Sequence, residues 1–237
     1  MEVLKTPESQ SVPGRYGAII SRSGRSGFQL TKSADSERLA LECYIAHCFD
    51  NAYGANLKSF LPLLLAYGEG RDFHSALGMR RADSGTLFLE QYLDEPVEAC
   101  LSAAAGTQVT RAQIVEIGNL VSSTRGSSRM LFLMLAELMA AADLTWAIFT
   151  ATPEVHRLLQ KLTDNQLSLC RADGTRLGTA LADWGSYYDT RPVVTAINVA
   201  AERERLLQRP LVGELLEACR PQSEALAPIL RGHHPCN

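Results

Sequence analysis

The stretch VEIGNLVSSTRGSSRM, Val115 to Met130, constrains this chain more than any other. Apolar residues alternate through Gln113 to Leu120, which predicts a strand with Ile114, Glu116 and Gly118 on one side and Val115, Ile117 and Asn119 on the other. A turn of small polar residues follows. Ser127 to Ala142 then reads as a helix that is apolar nearly all round and therefore buried. Two features stand out for chemistry. Glu116 is a carboxylate placed among residues that should face something dry, and Arg125-Gly126-Ser127-Ser128-Arg129 opens a helix, where unpaired backbone N–H groups and a positive partial charge suit a phosphate.

The chain has 237 residues, 46% of them hydrophobic, enough for one sizeable core or a main domain with an appendage. A net charge of -3 gives no general attraction to phosphate backbones, so nucleic acid is not an expected partner. The start, MEVLKTPESQSVPG, lacks the apolar core of a secretory signal, and the expected location is cytoplasmic. The most apolar segment, Met130 to Ala142, is shorter than the roughly 20 residues of a membrane span and carries Glu137, so no integral span is expected. Six scattered cysteines read as free, mostly buried thiols, and no metal site is expected. The terminal His233, His234 and Cys236 read as a frayed tail rather than as soft-metal ligands.

Residues 1–32 mix Ser, Gly, Pro and Arg and read as a flexible arm with one short strand at Tyr16 to Ser21. A helix follows from Asp35, ended by Gly54, and Ala55 to Leu65 runs through Pro62 into an apolar strand. Asn56 in this loop reads as a turn residue rather than a substrate ligand. Arg71 to Ala82 has no clear period. Thr86 to Leu93 and Val97 to Ala103, separated by Asp94-Glu95-Pro96, read as a β-hairpin. Thr145 to Thr150 reads as a strand, Pro153 opens a helix to Leu162, Leu167 to Ala172 and Val193 to Val199 read as strands, and a short helix lies near Thr179. The tail, Ala201 to Arg231, reads as one or two amphipathic helices broken at Pro210 and Pro221. The expected domains are the arm, a main body over residues 33–200 and a helical extension over residues 201–237.

A strand, an anion loop, a core helix, a strand, a helix and closing strands form an order that resembles the GNAT acyltransferases, whose loop grips the pyrophosphate of coenzyme A. LFLEQYLDEPVE, IVEIGNLVSS, FTAT and WGSYYDTRPVV, in this order and spacing, resemble the thermostable hemolysins over roughly Asp35 to Val199. That family is distantly similar to the acyl-homoserine lactone synthases, whose motif Glu-hydrophobic-Ser-Arg is matched at Glu116 but replaced at Gly118 and Asn119. The departure detaches the homoserine-lactone product and leaves acyl transfer.

The resemblance implies an α+β, GNAT-like fold with a mixed central sheet flanked by helices and a C-terminal helical extension. It implies an N-acyltransferase that takes a medium- or long-chain acyl group from acyl-CoA, or from a phosphopantetheine-linked acyl carrier protein, to a small amine. Glu116 becomes the base, Tyr187 or Tyr188 the proton donor to the leaving thiolate, and a backbone N–H near Val121 the oxyanion donor. Arg125, Gly126, Ser127, Ser128 and Arg129 become the phosphate site, and Glu90, Tyr92, Asn119 and Trp184 the substrate contacts. Each role has a structural rival. Glu116 paired with Arg111 or Arg80 is an ordinary ion pair, Asn119 satisfies backbone at the strand end, Trp184, Tyr187 and Tyr188 are core or loop anchors, and Met130 to Met139 are core before they are an acyl tunnel. Two other functions compete with the enzyme: a membrane-active hemolysin and a noncatalytic acyl- or lipid-binding protein.

Overall fold

In the computed structural model, which describes residues 26–124, 126–163 and 165–232, the chain runs as follows. The elements are β1 (Gly27–Lys32), α1 (Arg38–Tyr53), β2 (Leu63–Glu69), β3 (Asp72–Arg81), a 3-10 helix (Phe88–Tyr92), α2 (Val97–Ala105), β4 (Ile114–Ser122) and α3 (Ser127–Ala141). They continue with β5 (Trp146–Ala151), α4 (Pro153–Leu159), β6 (Gln166–Arg171), 3-10 turns over Gly174–Trp184 and Tyr187–Thr190, β7 (Val193–Asn198), α5 (Val199–Leu207) and α6 (Pro210–Arg231). The seven strands form one sheet in the order β1-β2-β3-β4-β5-β7-β6. Every neighbouring pair is antiparallel except β4 and β5.

Strand alternation sorts the core onto two faces. On one, Leu77, Val115, Ile117, Ala147 and Phe149 pack against α3 and α6. On the other, Leu64, Ala76 and Val121 pack under α1, while Ile114, Ile148 and Val194 pack under the 3-10 helix and α2. Helix α3 is buried nearly all round because the sheet lies on one side of it and α5 and α6 on the other.

Several elements depart from expectation. Residues Gly27–Lys32, placed in the arm, form the edge strand β1, because Phe28 and Leu30 find apolar cover on β2 and α6. Tyr16 to Ser21 lies outside the described residues. The expected hairpin is a 3-10 helix followed by α2. Leu87, Leu89, Tyr92, Val97 and Leu101 all reach one core, which a strand alternating its side chains between two faces would not allow. Carboxylates set the starts: Glu90 accepts the Leu87 N–H at 2.8 Å and the Val97 N–H at 3.2 Å. The unread segment Arg71 to Ala82 supplies β3.

The tail is less broken than its prolines suggest. Pro210 sits in the first turn of α6, where its missing N–H costs nothing, while Pro221 and Pro228 lie inside the helix. Buried Val212, Leu216, Cys219, Ser223, Ala227 and Leu230 repeat every three or four residues. At about 1.5–3 kcal/mol per large apolar side chain, that stripe offsets a cost of about 3 kcal/mol for each interior proline. Gln222 of α6 also donates to the Phe28 carbonyl at 2.6 Å, joining the tail to β1. Of the five described cysteines only Cys219 is buried, fewer than expected, since α1 and α2 turn Cys43, Cys48 and Cys100 toward partly open faces.

Candidate functional site

The parallel pair β4 and β5 is joined only over Ile114–Ile117 and Trp146–Phe149. Beyond that point β4 follows β3 and β5 follows β7, so the sheet splays. A β-bulge produces the departure. Ala76 pairs with Val121 and Gly78 with Gly118, which leaves Asn119 and Leu120 together opposite Leu77. Asn119 takes φ +50°, a left-handed conformation that asparagine tolerates better than most residues. Its Oδ1 accepts the Leu61 N–H at 3.0 Å, so it serves the backbone at the splay and also faces the cavity.

The two facing glycines are required by that loop. A Cβ on Gly78 would meet Asn119 Oδ1 at 2.8 Å and the Leu61 Cβ at 2.9 Å, and one on Gly118 would meet Leu61 Cδ1 at 3.0 Å. Arg38, buried at the start of α1, holds the loop from outside by donating to the carbonyls of Leu61 and Pro62, both at 2.7 Å.

A cavity of about 420 Å³ passes through the splay. On the α1 side its wall carries Arg80, Gln91, Tyr92, Glu116, Trp184 and Tyr188. On the α3 side apolar residues predominate, Phe132, Leu135, Phe149, Leu159, Val199 and Leu206, beside Thr152, Thr163, Glu202 and Arg203. Phe132 and Leu135 therefore combine the two roles weighed for that helix, as part of the buried packing and as cavity wall.

Glu116 is 3% exposed and stands at the junction. Neither expected ion pair forms among the described residues. Its Oε2 accepts the Phe88 N–H at 3.0 Å and its Oε1 the Leu89 N–H at 2.8 Å, so it caps the 3-10 helix from across the sheet. Burial pushes its carboxyl above the ordinary value, opposed by those two amide hydrogen bonds and by Arg80. Arg111 instead grips Glu90, at 2.7 and 3.1 Å, and Glu98, at 2.8 Å. That guanidinium holds Glu90 down at about 2. Glu90 is thus spent on Arg111 and on capping, and does not line the cavity.

The aromatic residues expected at the site come together. The hydroxyls of Tyr92 and Tyr188 are hydrogen-bonded to each other, and Trp184 lies 5.5 Å from Phe88 and 5.7 Å from Tyr188, centroid to centroid. Burial pushes Tyr188 up to about 12, and Tyr92 and Tyr187 are raised further by the same cause. Tyr187 donates to the Thr150 carbonyl at 3.3 Å, on the far lip of the splay.

The expected phosphate loop is separate from this cavity. Val121, Gly126, Ser127, Ser128 and Arg129 do not line it, and Arg125 lies outside the described residues. Gly126 turns the chain into α3 with φ +85°. Ser127 and Ser128 are buried. The Ser127 hydroxyl is 2.7 Å from the Thr124 carbonyl and 3.0 Å from that of His74, and the Ser128 hydroxyl donates to Ser122 at 3.2 Å. The serine side chains therefore face inward, which corrects the expectation that they present donors to an anion. Backbone N–H groups in the first turn and the exposed Arg129 are what this end of α3 offers. Val121 packs its side chain into the core beneath α1.

Sequence reading missed Gln91 and Leu61, and named Arg80 only as a rival ion-pair partner for Glu116. The signal for Arg80 was the alternation of Ala76, Gly78 and Arg80 against Leu77 and Met79, obscured by the irregular start of β3 at His74. No helix among the described residues is long and apolar enough to cross a membrane.

Comparison with known proteins places these features. A family model described as thermostable hemolysin matches residues 31–202. No curated protein matches the chain. Among solved structures, FeeM, an N-acyl amino acid synthase from uncultured soil microbes, superposes with a TM-score of 0.53 at 13% identity, covering 78% of this chain and 96% of that one. The acyl-homoserine lactone synthase LasI gives 0.52 at 11% identity, covering 75% and 91%. TofI, solved in a ternary complex with an inhibitor and MTA, gives 0.51 at 14% identity, covering 75% and 93%. At these identities the likeness establishes a shared GNAT-like fold.

Proposed function

The chain belongs to the thermostable hemolysin family, and from that premise we propose that it is an N-acyltransferase, moving a medium- or long-chain acyl group from a CoA or acyl-carrier-protein thioester to an amine. The observation that carries the reading is the cavity through the splay, which joins an apolar channel on one face of the sheet to a buried carboxylate on the other. The names of the structural neighbours, synthases of N-acyl amino acids and acyl-homoserine lactones, point the same way.

In this proposal the acyl chain lies along Phe132, Leu135, Leu159 and Leu206, and the thioester carbonyl sits in the splay beside Gly118 and Asn119. The amine attacks the carbonyl carbon, and Glu116 takes the proton the nitrogen sheds. Its two hydrogen-bonded oxygens keep lone pairs for that proton, and its raised basicity favours the transfer. A backbone N–H at the splayed end of β4 faces the oxyanion. When the carbon–sulfur bond breaks, Tyr188 protonates the thiolate, with the Tyr92 hydroxyl holding its orientation. Arg129 and the first turn of α3 receive the donor's phosphates.

A noncatalytic acyl-binding protein is the second reading, favoured by the fact that both Glu116 oxygens already hold the 3-10 helix. A lytic reading has no feature of its own among the described residues, and a lipid product of acyl transfer would account for the family's name.

Thermal-shift titration with CoA, long-chain acyl-CoA and acylated carrier protein tests donor binding, with Gly126→Glu as the variant that sets a negative charge at the α3 start. Thiol release in the presence of mixed amines then tests turnover. Binding without thiol release under any donor and amine favours the binder, and stabilisation by liposomes alone favours the lytic protein.

A further inference from the structure

The acyl-transfer reading leaves the acceptor open, and the following inference rests on it. Two arginines line the cavity, Arg80 and Arg203. They differ in what they hold. Arg203 is occupied by Glu137, Nε to Oε1 at 2.7 Å and Nη2 to Oε2 at 3.2 Å. Arg80 has no carboxylate within ion-pair distance among the described residues, and its hydrogen bond is a single one, from Nη1 to the Thr86 carbonyl at 3.1 Å.

The natural partner of Arg80 is its neighbour, yet that neighbour is engaged elsewhere. Arg80 and Glu116 are directly paired across β3 and β4, so both side chains leave the same face, with Cβ atoms about 5 Å apart. Glu116 spends its oxygens on the Phe88 and Leu89 amides. Two residue pairs along, on the same face, Gly78 and Gly118 carry no side chains at all, and the Ser59–Leu61 loop and the Thr86–Gln91 turn close over the space. The cavity therefore presents a guanidinium fork with most of its five donors unfilled, next to a buried proton acceptor, beneath a wall of Phe88, Trp184 and Tyr188.

We propose that the acceptor is an amine that itself carries a carboxylate, held by Arg80 while its nitrogen meets Glu116, and that α-amino acids with apolar side chains are the class that fits. An α-amino acid mounts both groups on one carbon, matching two side chains mounted on adjacent strands. Its carboxylate makes the bidentate contact that a guanidinium is shaped for. Its side chain meets the aromatic wall. Arg80 is then the specificity determinant, and the chemistry stays with Glu116.

The test uses the full-length protein, a long-chain acyl-CoA and matched acceptors: phenylalanine, phenylalaninamide and phenethylamine, with leucine, leucinamide and isoamylamine as a second set. Thiol release and product mass report transfer, and calorimetry reports acceptor binding directly. The wild type should prefer the amino acid over its amide and decarboxylated amine by about tenfold or more in kcat/KM. Arg80→Met should raise KM for the amino acid roughly ten- to a hundredfold more than for its amide and decarboxylated amine, and erase the preference. Arg80→Lys should recover part of it, which separates charge recognition from misfolding.

Equal use of all three acceptors by the wild type, or an unchanged preference in Arg80→Met, overturns the inference while leaving acyl transfer intact. No thiol release with any acceptor removes the acyl-transfer reading. The acceptor role falls with it, and calorimetry then decides the recognition alone: carboxylate-dependent binding lost in Arg80→Met upholds Arg80 as an amino-acid carboxylate site, and no such binding overturns that too.

Discussion

Two of the buried glutamates, Glu137 and Glu116, serve opposite ends. Glu137 of α3 is 2% exposed, and Arg203 embraces it bidentately while Arg220 stands at 3.8 Å. Its charge is neutralised by cations from α5 and α6, and the result ties three helices together. Glu116 of β4 is 3% exposed and meets only neutral amide donors from the 3-10 helix, with one side open to a cavity. Burial alone does not distinguish a structural carboxylate from a reactive one. The partners differ here: a cation consumes the charge, whereas amides fix the carboxylate's position and leave it able to take a proton.

The largest effect should come from Glu116→Gln. If Glu116 is the base, thiol release falls on the order of a hundred- to ten-thousandfold while acyl-CoA binding is retained. Turnover within a factor of a few of wild type would make the two glutamates alike. Glu137→Ala should act on the other axis. It strands Arg203 without its carboxylate and lowers folding stability by about 3–5 kcal/mol in urea titrations, with turnover per folded molecule preserved. Loss of turnover in a variant of undiminished stability would undo the contrast.

Titration sharpens the comparison next. The Glu116 carboxyl is raised by burial above its ordinary 4.5, so the acid limb of the rate profile should lie above that pH. For stability the sign is a cost: as pH climbs from about 4.5 through the folded-state value, ionising Glu116 weakens the fold, and Glu116→Gln should remove that slope. Glu90 behaves oppositely. Held at about 2 by Arg111, it stabilises the fold above its ordinary 4.5, and that contribution is lost as pH falls toward 2, so Glu90→Gln should flatten the acid side. The smallest effect belongs to Leu206→Trp in the apolar end of the cavity. The larger ring should move the preferred acyl chain to shorter lengths, by about tenfold in relative kcat/KM across a donor series.

Much of the architecture was legible locally. The strand, turn and helix from Ile114 to Ala141 follow from residue periodicity, and so do β5, α4 and β7. What was misread depends on partners far along the chain. The 3-10 helix at Phe88 begins where it does because Glu116, 28 residues on, accepts its first amide, and no pattern within Thr86 to Leu93 encodes that. Arg80 was weighed only as an ion-pair partner of Glu116, because its place in the cavity wall comes from strand register opposite Glu116. The inward turn of Ser127 and Ser128 follows from their burial against Ser122 and His74, which a reading of residue types as anion donors does not reveal. Helix α6 continues through Pro221 because of the core it covers, which local propensity leaves out.

The short seam between β4 and β5 also has a mechanical meaning. Four residue pairs, Ile114 to Ile117 against Trp146 to Phe149, form the ladder between the half-sheet β1-β2-β3-β4 and the half-sheet β5-β7-β6, with the Thr145 N–H donating to the Gln113 carbonyl at 3.0 Å just ahead of it. Past that seam the two halves stand apart like the leaves of a partly opened book, braced by α3 across one cover and by the Glu116 contact with the 3-10 helix across the other. A guest seated in the gap touches both leaves at once and supplies the contacts the seam lacks, so filling the cavity makes the ligand a keystone of the fold as well as its cargo.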